Sequence, residues 1–424
     1  MELLLVGCFI VGYFFIAIEH NTKIDKAVPA ILTGVICWVL YILSNSDIDG
    51  VNHQLTEHLG EISGILFFLM GAMTIVELID LHDGFKVITD KIQTKSKRKL
   101  LIIFGIVAFF LSAILDNLTT AIIMGSMLGK ILDDKTDRLY FASLVIIAAN
   151  AGGAWSPIGD VTTTMLWMGK QISTFGIIVK VIIPSIVCFT IPLLLMLRLV
   201  KGEIHVIMSE NKVNVSKRDR NIIFYSGVGM MLFVPIFKTI THLPPFMGMM
   251  FSVGVIWIIS EYLHMSKEKS KKEAFTIFRA LERMDMPSIL FFFGILLAVA
   301  ALESYGTLHS AAAWMSDYFH NDIIIVTIIG VLSSIFDNVP LVAAVQGMYS
   351  LETYHTDHFF WEYLAYCAGT GGSILVIGSA AGVAIMGIEK ISFFWYLRKI
   401  SFYALLGFLG GALVSIALRG FFNG

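Results

Sequence analysis

The stretch LSAILDNLTTAIIM, residues 111–124, sets an Asp beside an Asn inside an otherwise apolar run. LSSIFDNVPLVAAV, residues 332–345, does so again, 221 residues further on. How these two runs lie decides the fold. Each Asp-Asn pair falls where two apolar arms meet, over residues 100–131 and 322–350. The arms are about 12 to 16 residues each, whereas a transmembrane helix needs about 20. Both are therefore predicted to be re-entrant hairpins, with irregular tips that protein or a water-filled cavity must surround.

The rest of the chain supplies the membrane setting. Of 424 residues, 57% are hydrophobic and 15% charged, and the mean hydropathy is +0.80, far outside soluble domains. The reading is an all-α polytopic membrane protein. Ten segments qualify as spans: 2–18, 27–44, 62–80, 139–170, 174–199, 222–240, 245–263, 287–305, 360–388 and 392–418. The first run has neither a basic flank nor a small-residue cleavage site, so a retained span is expected rather than a signal peptide. Cys8, Cys37, Cys188 and Cys367 lie in apolar runs without a CxxC pair, which points to packing and away from disulfides or a metal site.

Loop charge gives an orientation. Lys23 and Lys26, the run from Lys86 to Lys99 that includes Lys91 and Lys95, then Lys130, Lys135 and Arg138, the linker from Arg198 to Arg220, and the stretch from Lys267 to Arg283 all fall on one side. That side is predicted to be cytoplasmic. The intervening loops 45–61, 306–321 and 351–359 carry no Lys or Arg. Both termini then lie outside.

The linker 201–221 divides the chain into a first half, 1–200, and a second half, 222–424, of five spans and one hairpin each. An odd number of crossings inverts the second half. GGAWSPIGD from Gly152 matches GGSILVIGS from Gly371, 219 residues apart, so two motifs recur in the same order. Ordered recurrence at corresponding breaks is the signature of an inverted repeat with broken helices at the midplane.

Chemistry is expected at those breaks. An intramembrane carboxylate is a functional candidate by default, and Asp116, Asp160 and Asp337 qualify. Asp116 and Asp337 also suit helix capping, with Pro340 fit for a first turn. Asn117 and Asn338 add carbonyl oxygens of the hard kind that a desolvated alkali cation accepts. The paired glycines and proline of AANAGGAWSPIGDVTTTMLW, residues 148–167, break the helix, and Asn150, Ser156, Asp160, Thr162 and Thr163 would line the gap. Thr164 suits back-bonding to the preceding turn. In the second half, Thr370, Ser373 and Ser379 remain, and Ser379 stands where the first half has Asp160. Glu77 and Glu303 sit near span ends, where an interfacial carboxylate is the ordinary case, and six histidines, His53, His58, His309, His320, His355 and His358, fall in predicted outer loops.

LDNLTTAIIM with NAGGAWSPIGDVTTTMLW, then FDNVPLVAAVQGM with GTGGSILVIGSAAGVAIMG, resembles the NhaD-type sodium/proton antiporters. These belong to a wider superfamily of ion transporters that also holds arsenite permeases and sodium-coupled dicarboxylate carriers. The resemblance runs from about Ile62 onward. It implies a cytoplasmic-membrane antiporter exchanging Na+ or Li+ for H+, a homodimer with scaffold helices at the contact, and the hairpins in a mobile transport part. The family's functional positions fall on Asp116, Asn117, Asn150, Asp160, Thr162, Thr163, Ser333, Asn338 and Ser373.

The expected mechanism places Na+ at Asp116, Asp160, Asn117 and Asn338, with Asp337 a ligand or electrostatic partner and Thr370 nearby. Protons and Na+ would compete for the same oxygens, with desolvation opposing and helix N-termini favouring the charged carboxylate. No cofactor is called for, and the partners are the bilayer and small cations, not nucleic acid. Two rival readings are an anion carrier for arsenite or a dicarboxylate, which negative hairpin tips disfavour, and an intramembrane diaspartyl protease, for which an inverted third acid has no use.

Overall fold

The computed structural model describes residues 2–17, 19–89, 94, 96–203, 215–265 and 275–422. Among these the chain is helical throughout, with one isolated bridge between Ser96 and Glu203 and no strand. The core of the predicted linker, 204–214, and the basic residues Lys91, Lys95 and Lys267 lie outside the described residues.

Three long helices open the chain, α1 (Glu2–Ala17), α2 (Ala27–Ser44) and α3 (Ile48–Leu81), with a single helical turn, Glu19–Thr22, between the first two. The last is a correction. It has 34 residues, so the predicted loop 45–61 is helical from Ile48 and its two histidines, His53 and His58, stand on helix. Asp47 starts it early by accepting the Gly50 N–H at 2.9 Å. At about 1.5 Å per residue such a helix exceeds a ~30 Å hydrocarbon layer, leaving its polar first turns beyond the apolar window.

The first hairpin comprises α4 (Lys97–Leu115) and α5 (Asn117–Ile131), joined at Asp116 alone. The first arm is longer than expected, at 19 residues, and is by length able to cross a membrane. It extends back to Lys97 because its basic end is anchored: Lys97 pairs with Asp137, and Arg98 Nε donates to the Val200 carbonyl at 3.1 Å. α6 (Lys135–Ala154), α7 (Val161–Met168) and α8 (Thr174–Met196) follow, so the fourth predicted span is broken at 155–160.

In the second half, α9 (Lys217–Thr241), α10 (Pro245–His264) and α11 (Met286–Ser304) match predicted spans. The predicted loop 306–321 is instead largely α12 (Thr307–Phe319), bent 116° against α13 (Asp322–Leu332). α13 and α14 (Asn338–Met348), 11 residues each, are the two arms predicted for the second hairpin. The second broken span is α15 (Phe359–Gly371) and α16 (Ala380–Glu389). The last predicted span is two helices, α17 (Phe393–Lys399), bent 111° from α16, and α18 (Ser401–Phe422).

Close packing is set by small residues. A Cβ on Gly34 would lie 2.6 Å from the Gly294 carbonyl, so α2 and α11 meet backbone to backbone, and Trp38 Nε1 donates to Leu297 O across the same seam at 2.9 Å. The hairpins use the same device twice. A Cβ on Gly152 would lie 2.0 Å from Phe109 O, and one on Gly371 would lie 1.9 Å from Gly330 O. Beside these crossings Ser112 Oγ donates to Ala149 O at 2.6 Å and Ser333 Oγ to Ala368 O at 2.8 Å. First arms thus lie on the near halves of their own broken helices, α4 on α6 and α13 on α15, while the second arms cross over, α5 onto α16 and α14 onto α7.

Candidate functional site

Four helix N-termini meet at the breaks. Each is capped by its own side chain: Asp116 accepts from Thr119 N for α5, Asp160 from Thr162 N for α7, Asp337 from Val339 N for α14, and Ser379 from Gly382 N for α16. Capping satisfies orphan N–H groups, and a carboxylate at that end is favoured by the helix dipole.

Asp160 is the centre. It is 2% exposed, and its Oδ1 accepts the Thr162 N–H at 3.1 Å. Its Oδ2 accepts Asn117 Nδ2 at 2.9 Å, and Asn338 Nδ2 lies 3.3 Å from the same oxygen and 3.4 Å from Oδ1. Asn117 and Asn338 are the first residues of α5 and α14, so both hairpin tips converge on this one carboxylate. The same Asn117 amide donates to Asn150 Oδ1 at 3.0 Å, and Asn150 Nδ2 donates to Ser379 Oγ at 2.9 Å. The asparagines thus turn N–H, not carbonyl oxygen, toward the carboxyl oxygens of Asp160. Among the described residues no Lys or Arg forms an ion pair with Asp160.

Asp116 stands beside this centre. Its Oδ1 accepts from Thr119 N at 2.7 Å and its Oδ2 from Thr119 Oγ1 at 2.8 Å. It does so at φ 97, ψ 162, a region essentially reserved for glycine that costs another residue about 1–3 kcal/mol. Asp337 adopts a relaxed φ of −55, so the two hairpin tips differ.

The hydroxyls are mostly engaged with backbone. Ser156 Oγ donates to Ala113 O at 2.5 Å, Thr163 Oγ1 to Asp160 O at 2.9 Å and Thr164 Oγ1 to Pro157 O at 3.0 Å. Thr370 Oγ1 donates to Tyr366 O at 2.6 Å and Ser373 Oγ to Thr370 O at 2.7 Å. Two of these carbonyls also accept backbone N–H groups, Asp160 O from Thr164 at 2.9 Å and Thr370 O from Ser373 at 3.1 Å, so the hydroxyls back-bond to the chain and do not face the gap. Thr162 Oγ1 is buried and makes no such bond.

The sequence profile of the family described as "Citrate transporter" matches residues 13–363. Sodium/proton antiporter 1 of Arabidopsis thaliana is 44% identical over 97% of this chain and 71% of its own length. The Na(+)/H(+) antiporter NhaD of Vibrio cholerae is 30% identical over 97% of this chain and 90% of its own. The chain belongs to the NhaD-type sodium/proton antiporter family. A solved structure of the Alcanivorax borkumensis YdaH transporter aligns with a TM-score of 0.56 at 12% identity, covering 89% of this chain and 90% of that one; the likeness is one of fold.

For an NhaD-type chain, three charged contacts on the helices around the site go beyond what the sequence singles out. Lys26, counted only as a loop charge, lies 3.4 Å from Asp337 Oδ2. Glu362, on α15, is buried and pairs with Lys180 of α8 at 2.8 Å. Lys238, near the end of α9, sits 4.2 Å over the Trp167 ring and donates to Trp167 O at 2.9 Å, neutralising the C-terminal end of α7. A lysine inside an apolar helix was the available signal for the last two. Glu77 pairs with Arg283 at 3.4 Å, as an interfacial carboxylate would.

Proposed function

We propose that the protein exchanges Na+ or Li+ for H+ across a cytoplasmic membrane by alternating access, at a site centred on Asp160. One observation carries this reading. A carboxylate 2% exposed is held by amide and backbone N–H groups alone, without a paired Lys or Arg among the described residues. An isolated buried charge is costly, so the group is stable either protonated or bound to a small cation. A site with those two alternatives is an exchanger's site. On binding Na+, the Asn117 and Asn338 amides would turn their carbonyl oxygens to the ion, giving hard ligands beside Asp160 and Asp116, with Thr162 Oγ1 available to join them.

The exchange reading includes two inverted halves, 1–200 and 222–424, with both termini outside, and a homodimer as the assembly. The duplicated glycine crossings and serine bonds support the halves, and the names of the relatives support the ions. A polycarboxylate cargo, which the family description suggests, would need cations facing it, whereas three of the four helix N-termini here carry an acid. The protease reading gains nothing from Asp116, whose two oxygens both engage Thr119.

The test is dissipation of a pH gradient in proteoliposomes on adding Na+, Li+, K+, citrate, succinate or arsenite. Proton movement on Na+ or Li+ is expected. Transport of the anions alone would overturn the reading.

A further inference from the structure

The hairpin tip at Asp337 is fastened to helices that lie outside the broken-helix pair. Asp337 N–H donates to the Tyr13 hydroxyl of α1 at 3.1 Å, and Tyr13 packs edge-on against Phe336 at 5.2 Å. Lys26, immediately before α2, places Nζ 3.4 Å from Asp337 Oδ2 and 4.3 Å over the ring of Phe291 on α11. Phe291 is fully buried. The ammonium is thus sandwiched between an aromatic face and a carboxylate, and both charged side chains are only about one-fifth exposed, at 23% and 16%. The two acids that closely precede Lys26 are engaged with backbone instead: Glu19 accepts the Lys26 N–H at 3.3 Å and Asp25 the Ala27 N–H at 2.8 Å. α2 and α11 are locked together at Gly34 and Gly294, so the cation is mounted on a rigid pair.

We propose that Lys26 is a built-in counter-cation for the second hairpin: it holds the Asp337 tip against the α2–α11 pair, and a cargo cation drawn to that tip must displace it. Lys26 is then a positioning residue that sets apparent cation affinity and ties occupancy of the tip to its release from α2 and α11. The adjacent residue, Asn338, reaches Asp160, so a change at Asp337 is delivered to the central carboxylate through one peptide unit. Asp116, the matching residue of the first hairpin, engages Thr119 and has no such lysine among the described residues. The two tips are therefore not equivalent, and the cation is specific to the second.

This inference rests on the exchange reading, and the test separates the two. Native full-length protein in proteoliposomes is first assayed for Na+-driven proton movement, which decides the exchange reading by itself. Half-saturating Na+ and maximal rate are then compared for Lys26→Gln, Lys26→Arg, Asp337→Asn and the Lys26→Gln, Asp337→Asn double variant. Lys26→Gln is expected to lower half-saturating Na+ roughly three- to tenfold by freeing a partly buried carboxylate. Lys26→Arg, which keeps the charge, should stay nearer native than Gln does. In the Asp337→Asn background Lys26→Gln should have no further effect. An unchanged half-saturation in Lys26→Gln, or an equal shift in both backgrounds, overturns the proposal. Should native protein move no protons on Na+, the pair is judged by melting in sodium-free choline buffer: non-additive losses in the double variant support it, and additive losses overturn it.

Discussion

Asn150 donates its side-chain amide to Ser379 Oγ at 2.9 Å, joining the gap of one broken helix to the gap of the other. Asp160 and Ser379 occupy matching positions with almost the same backbone, φ −147, ψ 147 and φ −145, ψ 152. They differ in what faces them. Asn117 and Asn338 both aim at Asp160, whereas Ser379 receives Asn150 alone among the side chains. Moving the acid by the double swap Asp160→Ser with Ser379→Asp is therefore expected to leave exchange lost, because a carboxylate at 379 is left with one amide donor and the α16 N-terminus. Na+ dependence of exchange at several pH values, with Asp160→Ser as reference, checks this. Near-native affinity in the swap would remove Asp160 from its central place.

Asp116 separates stability from transport. Asp116→Gly relieves about 1–3 kcal/mol of backbone strain while losing only about 0.3 kcal/mol of helix cap, so the melting temperature in detergent should stay near or above native. Exchange should nevertheless fall by about a hundredfold or more, roughly 2.7 kcal/mol at 1.36 kcal/mol per decade. Asp116→Asn should likewise insert and fold yet fail to exchange. Full exchange in either variant would reduce Asp116 to a structural cap.

The glycine crossings give a graded series. Gly152→Ala and Gly371→Ala drive a Cβ into a backbone carbonyl at 2.0 and 1.9 Å, which neither helix can accommodate without moving. Both are expected to abolish folded protein, read by monodispersity after extraction. Gly254→Ala, with nothing within 4 Å, should behave as native. Gly369→Ala is intermediate: its Cβ would meet Ala154 Cβ at 3.1 Å and Asp160 Oδ2 at 3.7 Å, so the protein should fold with altered cation affinity. Native Na+ dependence in Gly369→Ala would mean that the ion does not use that side of Asp160.

Topology has its own check. Single cysteines at Lys135 and His355, in a cysteine-free background, should label from opposite faces of the membrane if the two halves are inverted as proposed, since they lie at the starts of the two broken spans. Labelling of both from one face would remove the inverted repeat.

The sequence by itself determined the elements whose cause is local. Apolar runs of span length, paired glycines before a proline, and an acid at each hairpin tip placed the helices, the breaks and two of the four caps, because those depend on neighbours a few residues away. The stretches without Lys or Arg at 45–61 and 306–321 read as loops but are largely helical, since the absence of Lys and Arg reports sidedness and says nothing about backbone conformation. Tertiary structure alone decided the partners. Asn117, Asn150, Asp160 and Ser379 could be named as polar residues in apolar surroundings, but their bonding order requires four helix N-termini to meet, and that depends on the crossover of α5 onto α16 and α14 onto α7. The Lys26–Asp337 pair spans 311 residues. Charge attraction at that separation leaves no periodicity or motif in the chain, so it exists only once α2 and α11 have closed on each other.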